Sequence, residues 1–139
     1  MPEVPPFSPT IALLTISRSW DAALSDALIP LGLTTRKYGL LGHIRGTVGI
    51  SFSELARRSR VTVQSAHTAV AALVENGWVA DTSARAGASS RLEITPAGEE
   101  LLAAAAERLV ELDAAFTSAH PALADALRAQ FLAVVQEGP

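Results

Sequence analysis

The stretch SFSELARRSRVTVQSAHTAVAALVENG, residues 51–77, decides the fold. Its opening Ser51-Phe52-Ser53-Glu54 has the form of a capping box, in which a hydroxyl accepts the N3 amide and a Glu at N3 bonds back. A short helix to about Ser59 follows. Arg60-Val61 then lead to Thr62, a second N-cap candidate, and the next helix runs from Val63 to Asn76, with Gly77 placed to end it in a left-handed conformation. At about 100° per residue, Ala66, Val70 and Leu73 gather on one side, with Val63 and Val74 at the margins. That is the buried face. Gln64 and Thr68 point away from it, flanked by Ser65 and His67. Two helices joined by so short a turn form a helix-turn-helix.

Upstream, Thr34 caps a predicted helix to Arg45 that buries Tyr38, Leu41 and Ile44, and Ser8-Pro9 opens an earlier one that reaches Ile29. The earlier helix repeats Leu13, Ile16, Trp20, Leu24, Ala27 and Leu28 at helical spacing, and Ile11 and Leu14 widen its apolar surface. Such a surplus calls for more than one neighbour, a second subunit included. Downstream, Trp78-Val79-Ala80 and Leu92-Glu93-Ile94 read as a two-stranded ribbon around the Ser/Ala/Gly-rich tip Ser83 to Ser90. Thr95-Pro96 starts another helix, whose Leu102, Ala105, Leu109, Leu112 and Phe116 alternate steps of three and four, a seam suited to a partner helix. The last helix begins at Pro121 with Leu123, Leu127, Phe131 and Val134 on one face. The expected fold is mainly α with a small β-wing, a winged helix-turn-helix. A single domain spans 1–139, with the winged region at 34–94 and further helices at 8–30 and 96–137.

With 139 residues, 49% of them hydrophobic, the chain has room for one real core. It contains no Cys, which excludes disulfides, thiolate metal sites, Cys nucleophiles and thiol redox sensing. Met1 to Pro9 lack the basic cluster of a secretory signal, and no uncharged apolar run approaches the roughly 20 residues of a membrane span. A cytoplasmic protein without membrane contact is expected. The net charge is −3, yet from Thr34 to Arg91 eight basic residues face three acids, a net of +5 that leaves −8 for the rest. A basic middle on an acidic scaffold suits an anion-binding module, although a solvated surface can also carry such a split.

The second helix of a helix-turn-helix enters the major groove of double-stranded DNA and reads with its first half. Here that half presents Thr62, Gln64, Ser65, His67 and Thr68. Gln bonds adenine bidentately, Thr bonds a base or touches a thymine methyl, and Ser bonds phosphate or base. Arg57, Arg58 and Arg60 precede them as phosphate contacts that fix register. The plainer reading is an ordinary polar face beside a solvated charge run. His43, His67 and His120 fall on separate predicted helices, so no metal site is expected. No nucleotide-binding glycine loop, nucleophile elbow or carboxylate pair is present, and Glu99 and Glu100 are explained by a helix dipole. No enzyme activity and no cofactor are expected.

Four strings, Leu33-Thr34-Thr35-Arg36-Lys37-Tyr38, Ser53-Glu54-Leu55-Ala56-Arg57-Arg58, Leu73-Val74-Glu75-Asn76-Gly77-Trp78-Val79 and Leu92-Glu93-Ile94-Thr95-Pro96-Ala97-Gly98, resemble the MarR family of regulators in order and spacing. The resemblance implies a homodimer whose first, fifth and sixth helices form the dimerisation region, with two winged regions on a pseudo-palindrome. It also implies a local repressor released by a small aromatic or anionic effector. Trp20, Tyr38 and His43 are the effector candidates, with core packing as the alternative for Trp20 and Tyr38. The family commonly carries Asp-x-Arg at the wing tip, where this chain has Ala86-Gly87-Ala88, so the minor-groove contact falls to Arg85 or Arg91 or is missing. That departure, with Asp81 on the wing, leaves open a second function, a winged-helix interaction module with weak or lost DNA binding.

Overall fold

The structure, a computed structural model, describes residues 6–82 and 91–137. Helix α1 (Pro9–Leu28) starts where the Ser8 hydroxyl accepts the Ile11 amide, and a 3-10 turn at Ile29–Leu31, closed by Gly32 at φ +74°, carries the chain onward. Thr34 caps α2 (Thr35–Gly46), Ser51 caps α3 (Phe52–Ser59) and Thr62 caps α4 (Val63–Glu75). In each, the hydroxyl accepts an amide three residues on. A cap contributes about 1 kcal/mol. That is enough to fix where α3 begins, because eight residues do not hold a helix on their own.

Strands β1 (Val79–Asp81) and β2 (Leu92–Ile94) pair antiparallel, Val79 opposite Ile94 and Asp81 opposite Leu92. The ribbon begins one residue later than the sequence predicts, since the Trp78 N–H is committed to the Leu73 carbonyl at the end of α4. Ile50 adds a bridge to Leu92 that local sequence does not announce. Helices α5 (Pro96–Ala119) and α6 (Pro121–Glu137) complete the chain. The architecture is a winged helix-turn-helix with long terminal helices.

The core takes Leu28 from α1, Leu41 and Ile44 from α2, Leu55 from α3, Leu73 from α4 and Leu92 from β2. Each large side chain so buried is worth about 1.5–3 kcal/mol, so Leu55 does more to hold the short α3 than its cap does. On α2 the expected Tyr38 is only partly buried, and Leu40 takes the deep position.

Gly98, in the first turn of α5, decides how closely that helix approaches the wing. A Cβ there would overlap the Trp78 carbonyl oxygen and lie 2.9 Å from Ile94 Cγ2. Thr95 serves the same junction: its hydroxyl accepts the Gly98 amide and donates to the Gly77 carbonyl. The Thr-Pro-x-Gly string is thus a cap and a close approach built together.

The α5 seam divides rather than running whole along a partner. Leu102 and Ala105 enter the core at 4% and 0% exposure, because the first turns of α5 pass against α2 and β2. Leu109, Leu112 and Phe116 lie beyond that lobe and are only half-buried, in a groove of about 690 Å³ between α1, α5 and α6. Outside this groove the terminal helices are barer still. Ile11, Leu14, Phe131 and Val134 are 50–68% exposed, and α6 has no buried residue.

Candidate nucleic-acid interface

Helix α4 folds as its sequence pattern requires. Ala66, Val70 and Leu73 are buried, while Val63 and Val74 remain 44% and 40% exposed at the margins. Gln64 and Thr68 are exposed on the opposite side. The Thr68 hydroxyl donates to the Gln64 carbonyl at 3.1 Å, which leaves its oxygen able to accept, and no protein group among the described residues holds the Gln64 amide. Thr62 and Ser65 are occupied by the cap: Thr62 accepts the Ser65 amide and donates to the Ser65 hydroxyl at 2.9 Å. His67 is exposed but stacked on Phe52, ring centroids 3.8 Å apart. Local sequence does not announce that pairing, since Phe52 lies on another helix.

The basic flank departs from expectation in one respect. Ser51 caps α3, but Glu54 does not complete the capping box; its carboxylate accepts from Arg57 Nε and Nη2 at 3.0 and 2.6 Å and from Arg58 Nε at 2.8 Å. Charge-assisted bonds from two guanidiniums outcompete one neutral amide. Hydrogen bonds from Arg57 and then Arg58 hold the Glu54 carboxyl down at about 2, so it is an anion throughout the neutral range. Arg58 also donates to the Thr47 hydroxyl at 2.8 Å. Both arginines are thus drawn to one carboxylate, but exposed pairs of this kind are worth only about 0–1 kcal/mol. A phosphate can compete for them.

Arg60 is in the left-handed region, φ 54°, and is the only non-glycine residue with positive φ among those described. It ends α3 in a Schellman turn, Val61 N–H to Ala56 O at 3.1 Å and Arg60 N–H to Arg57 O at 3.3 Å. Gly77 ends α4 with the same pair of bonds. Glycine suits such a position; another residue costs roughly 1–2 kcal/mol there. Arg60→Gly should therefore raise the melting temperature by a few degrees while weakening DNA binding. Thermal denaturation beside a DNA titration checks both, and a glycine variant that keeps full affinity would remove Arg60 from the interface.

Of the wing residues, Arg91 is exposed at the base of β2, its Cδ 3.8 Å from where a Cβ on Gly49 would stand, and its carbonyl accepts both the amide and the hydroxyl of Thr82. Arg85 and Ala86-Gly87-Ala88 lie outside the described residues. The effector candidates are not brought together. Trp20 lines the groove of the terminal helices, edge-on to Phe116 at 4.8 Å, whereas His43 lines a separate cleft with Arg36 and Arg60, and Tyr38 packs partly buried against the core. They sit on different faces of α1 and α2, which spacing within either helix cannot relate. No group of three or more His, Asp or Glu among the described residues could hold a metal ion, and no described helix is long and apolar enough to cross a membrane.

The sequence model of the MarR family matches residues 31–88, from the turn after α1 into the wing. Over that stretch the chain matches the MarR family. Among solved structures the chain is similar to the MarR family protein Rv2887 of Mycobacterium tuberculosis. Rv2887 in complex with DNA is 25% identical over 96% of this chain and 100% of its own, with a TM-score of 0.75. The same protein in complex with salicylic acid is 27% identical over 92% and 96%, with a TM-score of 0.71. A MarR family transcriptional regulator from Rhodococcus sp. RHA1 shares the fold at 22% identity, 92% and 90% coverage and a TM-score of 0.75. No curated protein matches the chain by sequence.

Proposed function

We propose that this chain is a MarR-family member, a cytoplasmic, non-enzymatic transcription regulator that binds a pseudo-palindromic DNA operator as a homodimer. The observation that carries the reading is the exposed Gln64–Thr68 face on the first half of a capped, core-anchored α4, flanked by Arg57, Arg58 and Arg60. The similarity to Rv2887, solved with DNA, supports it. Dimerisation by α1, α5 and α6 accounts for the apolar surface that a single chain leaves uncovered there. The regulator acts as a repressor, released when a small aromatic or anionic effector binds. Salicylic acid bound to Rv2887 supports that effector class, and Trp20 beside Phe116 offers an aromatic ring a stacking surface.

Replacing Gln64 or Thr68 by Ala should cost about 1–3 kcal/mol on the operator, concentrated at one half-site position. Arg57→Ala should weaken binding to every sequence. Fluorescence anisotropy on operator and random duplexes separates the two roles, and equal losses on both duplexes from both kinds of variant would overturn the assignment. A second reading, an interaction module with little DNA affinity, is favoured by the Glu54 carboxylate that engages Arg57 and Arg58. Under that reading the wild type binds neither duplex at low salt.

A further inference from the structure

Where the start of α2 meets the turn between α3 and α4, an open cleft of about 430 Å³ is lined by Arg36, His43, Arg58 and Arg60. No acid lines it. Arg58 is shared with Glu54 and Thr47, but no carboxylate among the described residues pairs with Arg36 or Arg60. Ser59, another lining residue, has a buried hydroxyl with no hydrogen-bond partner among the described residues. Two guanidiniums without a carboxylate partner and an imidazole around one open cleft are the donor set of a phosphate site.

We propose that this cleft holds a backbone phosphate of the bound duplex, with Arg36 and His43 of α2 and Arg60 of the turn as its donors. The inference rests on the DNA-binding reading and adds α2 to an interface otherwise built from α3 and α4. Two features favour a DNA phosphate over a free anionic metabolite. Among the described residues the lining contains no carbocyclic aromatic, and its large aliphatic side chains are Leu40 and Val61, so it has no such ring on which an aromatic metabolite would stack. The cleft also adjoins Arg60-Val61, which lead directly into the Thr62 cap of α4, so a strand read by Gln64 has its backbone nearby. Arg60 keeps a left-handed conformation that glycine would adopt without strain, as expected where a side chain is retained for what it binds.

Gly39 supplies the test. It lines the cleft in mid-helix, and a Cβ there meets nothing within 4 Å. Glu and Gln are better helix formers than Gly, so neither variant endangers the fold. Gly39→Glu sets a carboxylate among the cations; Gly39→Gln adds the same bulk without charge. On the same duplex, Gly39→Glu should bind at least about tenfold more weakly than Gly39→Gln at 0.1 M salt, with a log–log salt slope smaller by about 1–2. Arg36→Ala should lower the slope by about 1. Equal affinity and slope for the two Gly39 variants, with the wild type binding normally, would overturn the cleft and leave the regulator reading intact. A wild type that binds no duplex at low salt would overturn both. Amide shifts of Gly39 and Ser59 with inorganic phosphate, joined to equal DNA binding by the two Gly39 variants, would show a site for a free anion and overturn the DNA assignment.

Discussion

Gly98→Ala should destabilise the protein strongly, with a loss of about 3 kcal/mol or more and a fall in melting temperature of roughly 10 °C. The added methyl would overlap the Trp78 carbonyl oxygen, which is backbone, and crowd Ile94 Cγ2 at 2.9 Å. A flexible side chain could swing aside, but a carbonyl held by Thr95 N–H at 3.1 Å cannot. Relief requires α5 to lift from the wing, which drags Leu102 and Ala105 out of the core. Circular dichroism against temperature checks it. The control is Gly42→Ala on α2, where a Cβ meets nothing within 4 Å and stability should rise slightly.

A charge in the terminal-helix groove should dissociate the proposed dimer and leave the winged region folded. Leu13 and Leu127 line this groove, yet in a single chain they are 57% and 43% exposed. Leu13→Glu or Leu127→Glu therefore costs a monomer little. In a symmetric dimer each substitution occurs twice, and burying an unpaired carboxylate costs several kcal/mol. The dissociation constant should rise by at least about a hundredfold. Sedimentation velocity at micromolar concentration reads the result, with helical circular dichroism confirming the fold. A wild type that sediments as a folded monomer would remove the dimer from the account.

Those two substitutions also mark what the sequence shows and what it leaves out. Ser8, Thr34, Ser51, Thr62 and Thr95 are legible as caps because each answers to an amide three residues away. The buried triad Ala66, Val70 and Leu73 is legible because helical periodicity is local too. Gly98 is visible only as part of a family string; its reason is a carbonyl twenty residues back, brought near by the wing. Ile50 reaches Leu92 in the same long-range way. The division of the α5 seam could not be read, since a three-four pattern looks alike whether its partner is the chain's own core or another helix.

At the candidate interface the sequence names the residues but not their engagements. Glu54 has two local options, the capping amide and the arginines one turn on, and only geometry shows that the arginines win. His67 is read as part of the exposed face, yet it is laid on Phe52 from α3. Trp20, Tyr38 and His43 are candidates for one effector junction through the family resemblance, and the structure separates them. Nothing within α2 relates Arg36 to Arg60, so the cleft they share is not legible in the sequence.

The central claim, specific DNA binding by a dimer through α4, is tested most directly by titrating the wild-type protein into labelled duplexes. One duplex carries the region upstream of its own gene and the other the same bases scrambled, each at about 50 and 200 mM salt. The account expects one dimer per site, the upstream duplex bound at least about a thousandfold more tightly than the scrambled one, and both affinities falling steeply with salt. Equal affinity for the two duplexes, or no binding to either at the lower salt, would contradict it.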